Sequence, residues 1–267
     1  AAAFTLFHRG DLAIDPGYDG ESIRDWQFFR RTIAHNTIVV DAPGAGGELT
    51  DHPWGFEGGQ RVPILTDRPR NVDQYFRLRN PEYPAESLFE TGSVVAFETS
   101  DRFDYAAVDA TRAYERAQLT AFVRHLVFIK PDLVLVYDVI HTPPGRSPRW
   151  LLQSVHPPHL SQRSFSVANG GGVLEAAVLL PVAARVTGLP TPAGHRTEVA
   201  GEPAAEHRFL VVIRAGERGA VAPVVARAER VSDALIVQVE PSGPDHPGAG
   251  VTFRWNGQPG VEVRLGG

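Results

Sequence analysis

The sequence predicts an all-β fold, a large sandwich of stacked antiparallel sheets. Short apolar or alternating runs rich in Val, Ile and Phe recur along the whole chain, as strands do. The 26 glycines and 22 prolines among 267 residues separate these runs and leave little room for long helices. Two of the longer runs are apolar on both faces, which indicates strands that lie between two layers.

The strand candidates extend from one end of the chain to the other. Among them are Phe4–His8, Leu12–Asp15, Thr37–Asp41, Val94–Glu98, Leu119–Lys130, Leu133–His141, Trp150–Val155, Val173–Leu180, Phe209–Arg214, Leu235–Glu240 and Val251–Trp255. Only two segments, Glu21–Thr32 and Pro84–Thr91, have a composition that suits a helical turn or two. We expect one sandwich over residues 1–187, with residues 188–267 either continuing it or forming a small C-terminal β domain.

The clearest predicted unit is a hairpin whose two strands are Leu119–Lys130 and Leu133–His141. A two-residue loop would set His125 opposite Asp138, whereas a one-residue bulge would set Arg124 opposite Asp138. Either register places a polar pair inside an apolar hairpin, where buried polar groups need partners. We expect this pair to be structural rather than catalytic.

Composition and charge exclude several classes of function. The net charge of −5 and the pI near 6.1 argue against a nucleic-acid partner. No apolar run approaches the roughly 20 residues that cross a bilayer, so we expect no membrane partner. The absence of cysteine excludes disulfides and thiolate metal sites. No signal peptide is visible. Because the chain contains no Met, not even at position 1, we expect that it begins inside a longer reading frame or after processing.

The densest group of polar and charged residues lies near the beginning of the chain. It comprises Asp15-Pro16-Gly17-Tyr18 and the run from Arg30 to Asp41, which contains His35-Asn36. By itself, the first segment reads as a turn that closes a strand, and the second as a polar lead into a buried strand. Spacing alone favours that structural interpretation, since sites in β proteins seldom show local spacing.

Two neighbouring sequence blocks change that interpretation. The run R-R-T-I-A-H-N-T-I-V-V-D over residues 30–41, preceded by L-A-I-D-P-G-Y over residues 12–18, resembles the signature of the heparinase II/III-like family. The runs V-R-H-L-V-F-I-K-P-D, V-Y-D and W-L-L follow in the order that the family has. The resemblance spans about Ala1 to Pro181.

The resemblance implies a polysaccharide lyase that acts on uronate-containing chains such as heparan sulfate or alginate. In that family an N-terminal α/α toroid packs against the β-sandwich, and the acidic polysaccharide lies in the cleft between them. The resemblance further implies β-elimination and a periplasmic or secreted location. This chain would then lack the toroid, and with it several catalytic residues, so we expect it to be inactive alone.

The resemblance also assigns candidate site residues. Some members hold zinc with two histidines and an aspartate, and two of those positions map onto Asp15 and His35. The third ligand would come from a segment ahead of Ala1. Tyr18 is the candidate catalytic tyrosine, although packing beside the turn is an equally simple role for it. The candidate substrate-binding residues are Arg30, Arg31 and Asn36, and the two arginines could instead form a solvated surface pair.

Two further functional classes stay open at this point. In a non-catalytic carbohydrate-binding module, exposed aromatic side chains such as Trp26, Trp54, Phe56 and Tyr75 would stack on sugar rings. A glycoside hydrolase would need two carboxylates across a cleft, and no Asp or Glu pair stands out from the solvated background.

Overall fold

The computed structural model describes residues 1–17, 28–29, 31–41, 58–60, 92–114, 116–243 and 248–266. Regular structure in these ranges is almost entirely strand, with two short 3₁₀ turns at Thr32–Ala34 and Thr111–Ala113. The predicted all-β class is therefore confirmed. Within the same ranges, no helix has the length and apolar character needed to span a bilayer.

The strands follow one another along the chain with few other elements between them. They are β1 (Leu6–Phe7), β2 (Asp11–Ala13), β3 (Ile38–Asp41), β4 (Ser93–Thr99), β5 (Phe103–Asp109), β6 (Ala121–Ile129), β7 (Leu133–Ser154), β8 (His159–Ser161), β9 (Ser164–Asn169), β10 (Gly172–Leu180), β11 (Arg185–Thr191), β12 (Gly194–Ala200), β13 (Ala204–Glu217), β14 (Ala226–Val231), β15 (Ala234–Val239), β16 (Ala249–Arg254) and β17 (Val261–Leu265).

The described strands form three stacked sheets beside the small β1–β2 pair. The central sheet has the order β4-β5-β6-β7-β13-β10-β9-β8, and the third sheet has the order β14-β15-β16-β17. The second sheet consists of β3, the end of β7, β12 and β11. All pairings are antiparallel, which suits a chain that connects neighbouring strands through short turns.

Strand β7 belongs to two sheets and so joins two layers. Its first part, from Leu133 to His141, pairs with β6 and β13, and its last part, from Ser147 to Ser154, pairs with β3 and β12. Between the two parts lie Pro143 and Pro144, which have no N–H to donate to a ladder. Gly145 follows them with a φ of +79°. The strand therefore changes partners where its hydrogen bonding is interrupted.

Each interface between the layers has its own apolar core. One core lies between the second and central sheets and includes Trp150, Leu152 and Phe122. The other lies between the central and third sheets and includes Val127 and Phe253. Strand β6 contributes to both cores, which confirms the prediction that the hairpin lies between two layers. The boundary expected between residues 187 and 188 falls inside β11, whereas the third sheet begins at Ala226.

The β6–β7 hairpin sets Arg124 opposite Asp138, the register that the bulge alternative predicts. The guanidinium donates from Nε to Asp138 Oδ1 and from Nη2 to Oδ2, both at 2.7 Å. Both side chains have no exposed surface. A buried charge is tolerated only when it is paired and hydrogen-bonded, and this bidentate contact meets that requirement.

The remaining donor of Arg124 binds two carbonyl groups from distant parts of the chain. Nη1 donates to Ala2 O at 2.6 Å and to Asn36 O at 2.7 Å. The guanidinium carbon lies 5.7 Å from the centre of the Phe4 ring. A single buried cation therefore ties both the N-terminal segment and the lead into β3 to the central sheet.

His125 attaches the third sheet to the central one. Its Nε2 lies 3.2 Å from Gly257 O, and its Nδ1 lies 3.0 Å from the hydroxyl of Tyr105. The Gly260 N–H donates to that hydroxyl at 2.9 Å. A neutral imidazole that donates from Nε2 and accepts at Nδ1 satisfies this arrangement. Burial lowers the pKa of His125 to about 4.

We expect the substitution Asp138→Ala to lower the free energy of unfolding by about 3–5 kcal/mol, because it leaves the buried Arg124 guanidinium without its counter-charge. Denaturant unfolding measures the change. Glu262→Ala is the control, since Glu262 forms an exposed ion pair with Arg264 and such pairs contribute little. An equal loss in both variants would contradict the assigned role of the buried pair.

His125 also predicts a pH dependence of stability. Because its folded pKa of about 4 lies below the roughly 6.5 of an unfolded histidine, the unfolded state binds more protons and stability falls as the pH drops through that window. Between about pH 7 and about pH 5 this residue alone should account for a loss of about 2 kcal/mol. His125→Gln should lose that share of the pH dependence in unfolding titrations, whereas His141→Gln should keep it.

Candidate functional site

Asp15 lies two residues after the end of β2, in a segment without regular secondary structure. Its Oδ1 accepts a hydrogen bond from the Gly17 N–H at 3.2 Å. Gly17 has a φ of +76°, which a residue without a side chain adopts easily. The Asp-Pro-Gly segment is thus held by a local side-chain-to-backbone hydrogen bond, which leaves the second carboxylate oxygen of Asp15 available to another group.

His35 follows a 3₁₀ turn that ends just before β3. Its N–H donates to Thr32 O at 3.0 Å, and its own carbonyl accepts from the Thr37 N–H at 2.9 Å. Ile33 and Ala34 of this turn are buried, whereas the imidazole keeps 26% of its surface exposed. The turn thus packs its apolar residues inward and directs the imidazole toward the protein surface.

The structure brings Asp15 and His35 together, although 20 residues separate them. His35 Nδ1 lies 3.2 Å from Asp15 Oδ2, and the Asp15 side chain is 50% exposed. Asp15 also lines an open depression of about 490 Å3, together with Asp11, Phe29 and Val155. An exposed carboxylate–imidazole pair at the rim of a depression is accessible to a ligand.

A buried hydrogen-bond network lies directly behind this pair. Asn36 is 1% exposed, and its Nδ2 donates to Phe4 O at 2.8 Å and to Ile14 O at 3.0 Å. Its Oδ1 accepts from the Gln153 N–H at 2.6 Å, and Ile14 N–H donates to Gln153 O at 3.0 Å. Because Ile14 precedes Asp15 and Asn36 follows His35, the network fixes both backbones beside the pair.

This geometry gives Asn36 a structural role in place of the substrate contact that the sequence suggested. Its amide is turned into the protein, where it binds three backbone groups and is closed off from solvent. A substrate could reach it only if this network opened. Gln153 supports the same region, since its Nε2 donates to Ile33 O at 3.0 Å.

The other sequence-derived site residues divide into two groups. Arg31 is half-buried and precedes the 3₁₀ turn, where its N–H donates to Phe28 O at 2.9 Å. Tyr18 and Arg30 lie outside the described residues. The same holds for the candidate sugar-stacking aromatics Trp26, Trp54, Phe56 and Tyr75.

The donor atoms of Asp15 and His35 fit a zinc ion. Zinc accepts carboxylate oxygen and imidazole nitrogen at about 2.0–2.2 Å in a tetrahedron, which places two ligand atoms about 3.4 Å apart. The observed separation of 3.2 Å is close to that spacing. Among the described residues, no cluster of three His, Cys, Asp or Glu side chains could complete the set. A zinc ion at this pair would need its third protein ligand from outside the described residues.

Sequence reasoning missed the residues that support the pair. Neither Gln153 nor Arg124 lies near Asp15 and His35 in sequence. Gln153 O accepts a hydrogen bond from the Ile14 N–H, and Arg124 Nη1 donates one to Asn36 O. Backbone hydrogen bonds across more than 80 residues leave no local pattern. The signal that the sequence did offer was the polar pair inside the apolar hairpin. Buried polar groups need hydrogen-bond partners, but the sequence does not reveal which residues supply them.

Comparison with known protein families gives one match. The model of the family described as "Heparinase II/III-like, C-terminal" matches residues 1–178. These residues include the Asp15–His35 pair and the β6–β7 hairpin. A search of curated proteins found no significant relative.

Solved structures of heparinases resemble this fold. Heparan sulfate lyase HepC from Pedobacter heparinus has a TM-score of 0.57 and 13% identity, covering 98% of this chain and 36% of its own. A structure titled heparinase III has a TM-score of 0.59 and 10% identity, with coverages of 94% and 35%. A further heparinase III gene product has a TM-score of 0.60 and 14% identity, with coverages of 94% and 36%.

This chain thus spans about a third of the length of those proteins. At these identities the structural likeness establishes the fold, and the family model carries the assignment. It covers two thirds of the chain and includes both blocks on which the sequence resemblance depends. The chain belongs to the heparinase II/III-like C-terminal family.

Proposed function

We propose that this chain is the β-sandwich portion of a polysaccharide lyase that cleaves uronate-containing polysaccharides by β-elimination. The observation that carries the proposal is the exposed Asp15–His35 pair at the rim of an open depression. Family membership adds support, as do the structural neighbours whose titles name heparan sulfate lyases. The periplasm or the cell exterior, where polymeric substrates are met, is the location that we propose.

β-Elimination makes particular demands on a site. A base removes the proton at C5 of the uronate, an acid protonates the leaving glycosidic oxygen, and donors neutralise the sugar carboxylate as charge develops on it. The products are a shorter chain and an unsaturated uronate. We propose that Tyr18 takes part in proton transfer and that Arg30 and Arg31 neutralise the carboxylate.

The remaining groups would come from a second domain. The solved heparinases are almost three times as long as this chain, so most of each protein lies outside the matched region. We propose that an N-terminal domain of the toroid type faces the rim that carries Asp15 and His35. The substrate would then lie between the two domains, and the sandwich alone would not turn it over.

We further propose that Asp15 and His35 hold a zinc ion together with a ligand from that second part. The ion would supply positive charge and a rigid link at the rim of the cleft. Elimination needs no activated water, so this role is structural. The chain's own contribution is the buried network of Asn36 and Gln153, which keeps the carboxylate and the imidazole 3.2 Å apart.

The reaction type can be tested on the full-length parent protein. We expect incubation with heparan sulfate or alginate to generate an unsaturated uronate that absorbs in the ultraviolet, because elimination creates a double bond conjugated with the carboxylate. His35→Ala should reduce this rate at least about tenfold, in line with the loss of an ion-holding residue. New reducing ends without ultraviolet absorbance would indicate hydrolysis and contradict the proposal.

The metal-binding residues can be tested on the 267-residue chain. We expect zinc titration followed by calorimetry to detect weak binding, because two ligands of the set are present. Asp15→Ala and His35→Ala should each abolish it. His141→Ala, which removes a histidine from the middle of β7, should leave the binding unchanged. Equal losses in all three variants would show that zinc binds nonspecifically.

A further inference from the structure

The first strand of the chain presents an exposed phenylalanine. Side chains alternate along the segment that ends in β1: Phe4 and Leu6 pack against the core between the second and central sheets, whereas Thr5 and Phe7 are exposed. The exposed fraction of Phe7 is 74%. Outward positions of a surface strand are ordinarily polar. This ring adds little to the core and is available for contact with another molecule.

Phe7 lines the same open depression as Asp15. It pairs across the β1–β2 ladder with Asp11, and residues that pair directly project from one face of a sheet. The phenyl ring and the exposed carboxylate of Asp11 are therefore neighbours. Asp15 follows Asp11 by four residues, which span up to about 14 Å of chain. A ligand made of several linked units can contact both places at once.

The charge in this depression is negative. Asp11 and Asp15 line it, and none of its described lining residues is Arg, Lys or His. Arg9, at the tip of the β1–β2 pair, is held in an ion pair with Glu217 at 2.7 Å. Asp15 has His35 as a partner, whereas Asp11 keeps its full negative charge. An anionic group that approached Asp11 would be repelled.

The strand pair that carries the ring is fixed against the β9–β10 hairpin. Asn169 Nδ2 donates to Asp11 O at 3.1 Å, and the Gly171 N–H donates to Arg9 O at 3.1 Å. A Cβ at Gly10 would collide with Asn169 O, so the two backbones touch where no side chain fits. Groups that are held before a ligand arrives lose little freedom on binding. The ring and the carboxylate beside it are thus placed in advance.

An aromatic ring beside a carboxylate matches the two kinds of surface that a sugar unit has. The C–H groups on one face of a pyranose pack on an aromatic ring, and the hydroxyls at its edge donate to carboxylate oxygens. A unit that carries its own carboxylate or sulfate would bring a like charge toward Asp11. The arrangement therefore suits an uncharged unit.

We propose that Phe7 and Asp11 form a subsite for an uncharged sugar unit, beside the site at Asp15 and His35. The unit stacks on the phenyl ring and donates its hydroxyls to Asp11, while a uronate occupies a neighbouring position. The proposal rests on the proposed function for the polymeric ligand. It adds a selection among such polymers: chains that alternate charged and uncharged units are preferred to chains that are charged at every unit.

Calorimetric titration of the 267-residue chain tests this selection. One probe is a hexasaccharide that alternates glucuronate with N-acetylglucosamine, and the other is an alginate hexasaccharide, in which every unit carries a carboxylate. We expect the alternating probe to bind roughly tenfold more tightly, because it brings no like charge to Asp11. Added salt should narrow the difference, since salt screens the repulsion. Equal affinities, or no binding of either probe, would overturn the proposal.

Substitution of the ring tests the stacking. Phe7→Ala should weaken binding of the alternating probe by about three- to tenfold, and Phe7→Tyr should preserve it. Phe97→Ala is the matched control, because Phe97 is 69% exposed on β4 and is not among the residues that line the depression. Thermal midpoints should stay unchanged, since both rings are exposed. Equal effects of Phe7→Ala and Phe97→Ala would contradict the stacking.

Substitution of the carboxylate tests the charge selection. Asp11→Asn keeps an oxygen acceptor for hydroxyls and removes the negative charge. We expect its affinity for the alginate probe to rise several-fold, while its affinity for the alternating probe changes little. A purely structural role of Asp11 would change both affinities by the same factor. An unaltered preference in this variant would sink the assigned selectivity.

These measurements separate the subsite from the proposed function, because binding is measured without cleavage. A parent protein that forms the unsaturated product, while the Phe7→Ala chain binds as tightly as the Phe97→Ala chain, would overturn the subsite alone. A chain whose binding depends on Phe7, from a parent that forms no unsaturated product, would contradict the lyase and leave the subsite in place.

Discussion

The buried ion pair of Arg124 and Asp138 is the interaction on which the site depends. A guanidinium with no exposed surface must have its charge and its donors satisfied inside the protein. Asp138 supplies the charge, and the carbonyls of Ala2 and Asn36 accept the remaining hydrogen bonds. The same cation therefore sets the hairpin register and holds two distant segments against the central sheet.

Those two segments determine where the exposed pair lies. Asn36, whose carbonyl binds Arg124, uses its side chain to bind Ile14 and Gln153. His35 is then fixed from one side and Asp15 from the other, so that their side chains meet at the surface. A rigid buried layer that supports exposed polar groups is the arrangement that binding sites require, because groups held in advance lose little freedom when a ligand arrives.

The three-layer architecture places the open depression that Asp15 lines beside the end of β7. Strand β7 links the second sheet to the central one, and Val155, the residue after it, lines this depression. The third sheet covers only part of the outer face of the central sheet, because its apolar core involves mainly β5, β6, β7 and β13.

The class of fold and its middle layer were predictable from the sequence because they follow from local patterns. Runs of apolar residues and interrupting prolines indicate strands, and a hairpin that is apolar on both faces must lie between layers. The continuity of β7 was not predicted: two separate runs were expected, at Leu133–His141 and Trp150–Val155, and the structure joins them into one strand. Pro143 and Pro144 interrupt the apolar pattern of the sequence, although the strand continues past them.

The site was predictable only in part, because the hydrogen bonds that fix its residues connect positions that are distant in sequence. Asp15 and His35 were identified through resemblance, and the structure brings them together. Asn36 was assigned to substrate because residue type and position alone do not reveal which way a side chain turns. Its actual partners, Phe4, Ile14 and Gln153, are distant in sequence, and such long-range hydrogen bonds appear only when the sheets are assembled.

The most direct test of the account is the position of a bound metal ion in crystals of the chain grown with zinc. Anomalous scattering at the zinc absorption edge locates the ion without assumptions about its ligands. The account predicts a peak within bonding distance of Asp15 Oδ2 and His35 Nδ1, with the amide of Asn36 still bound to Ile14 O. Peaks elsewhere and none at this pair, or side chains of Asp15 and His35 that point apart, would contradict it.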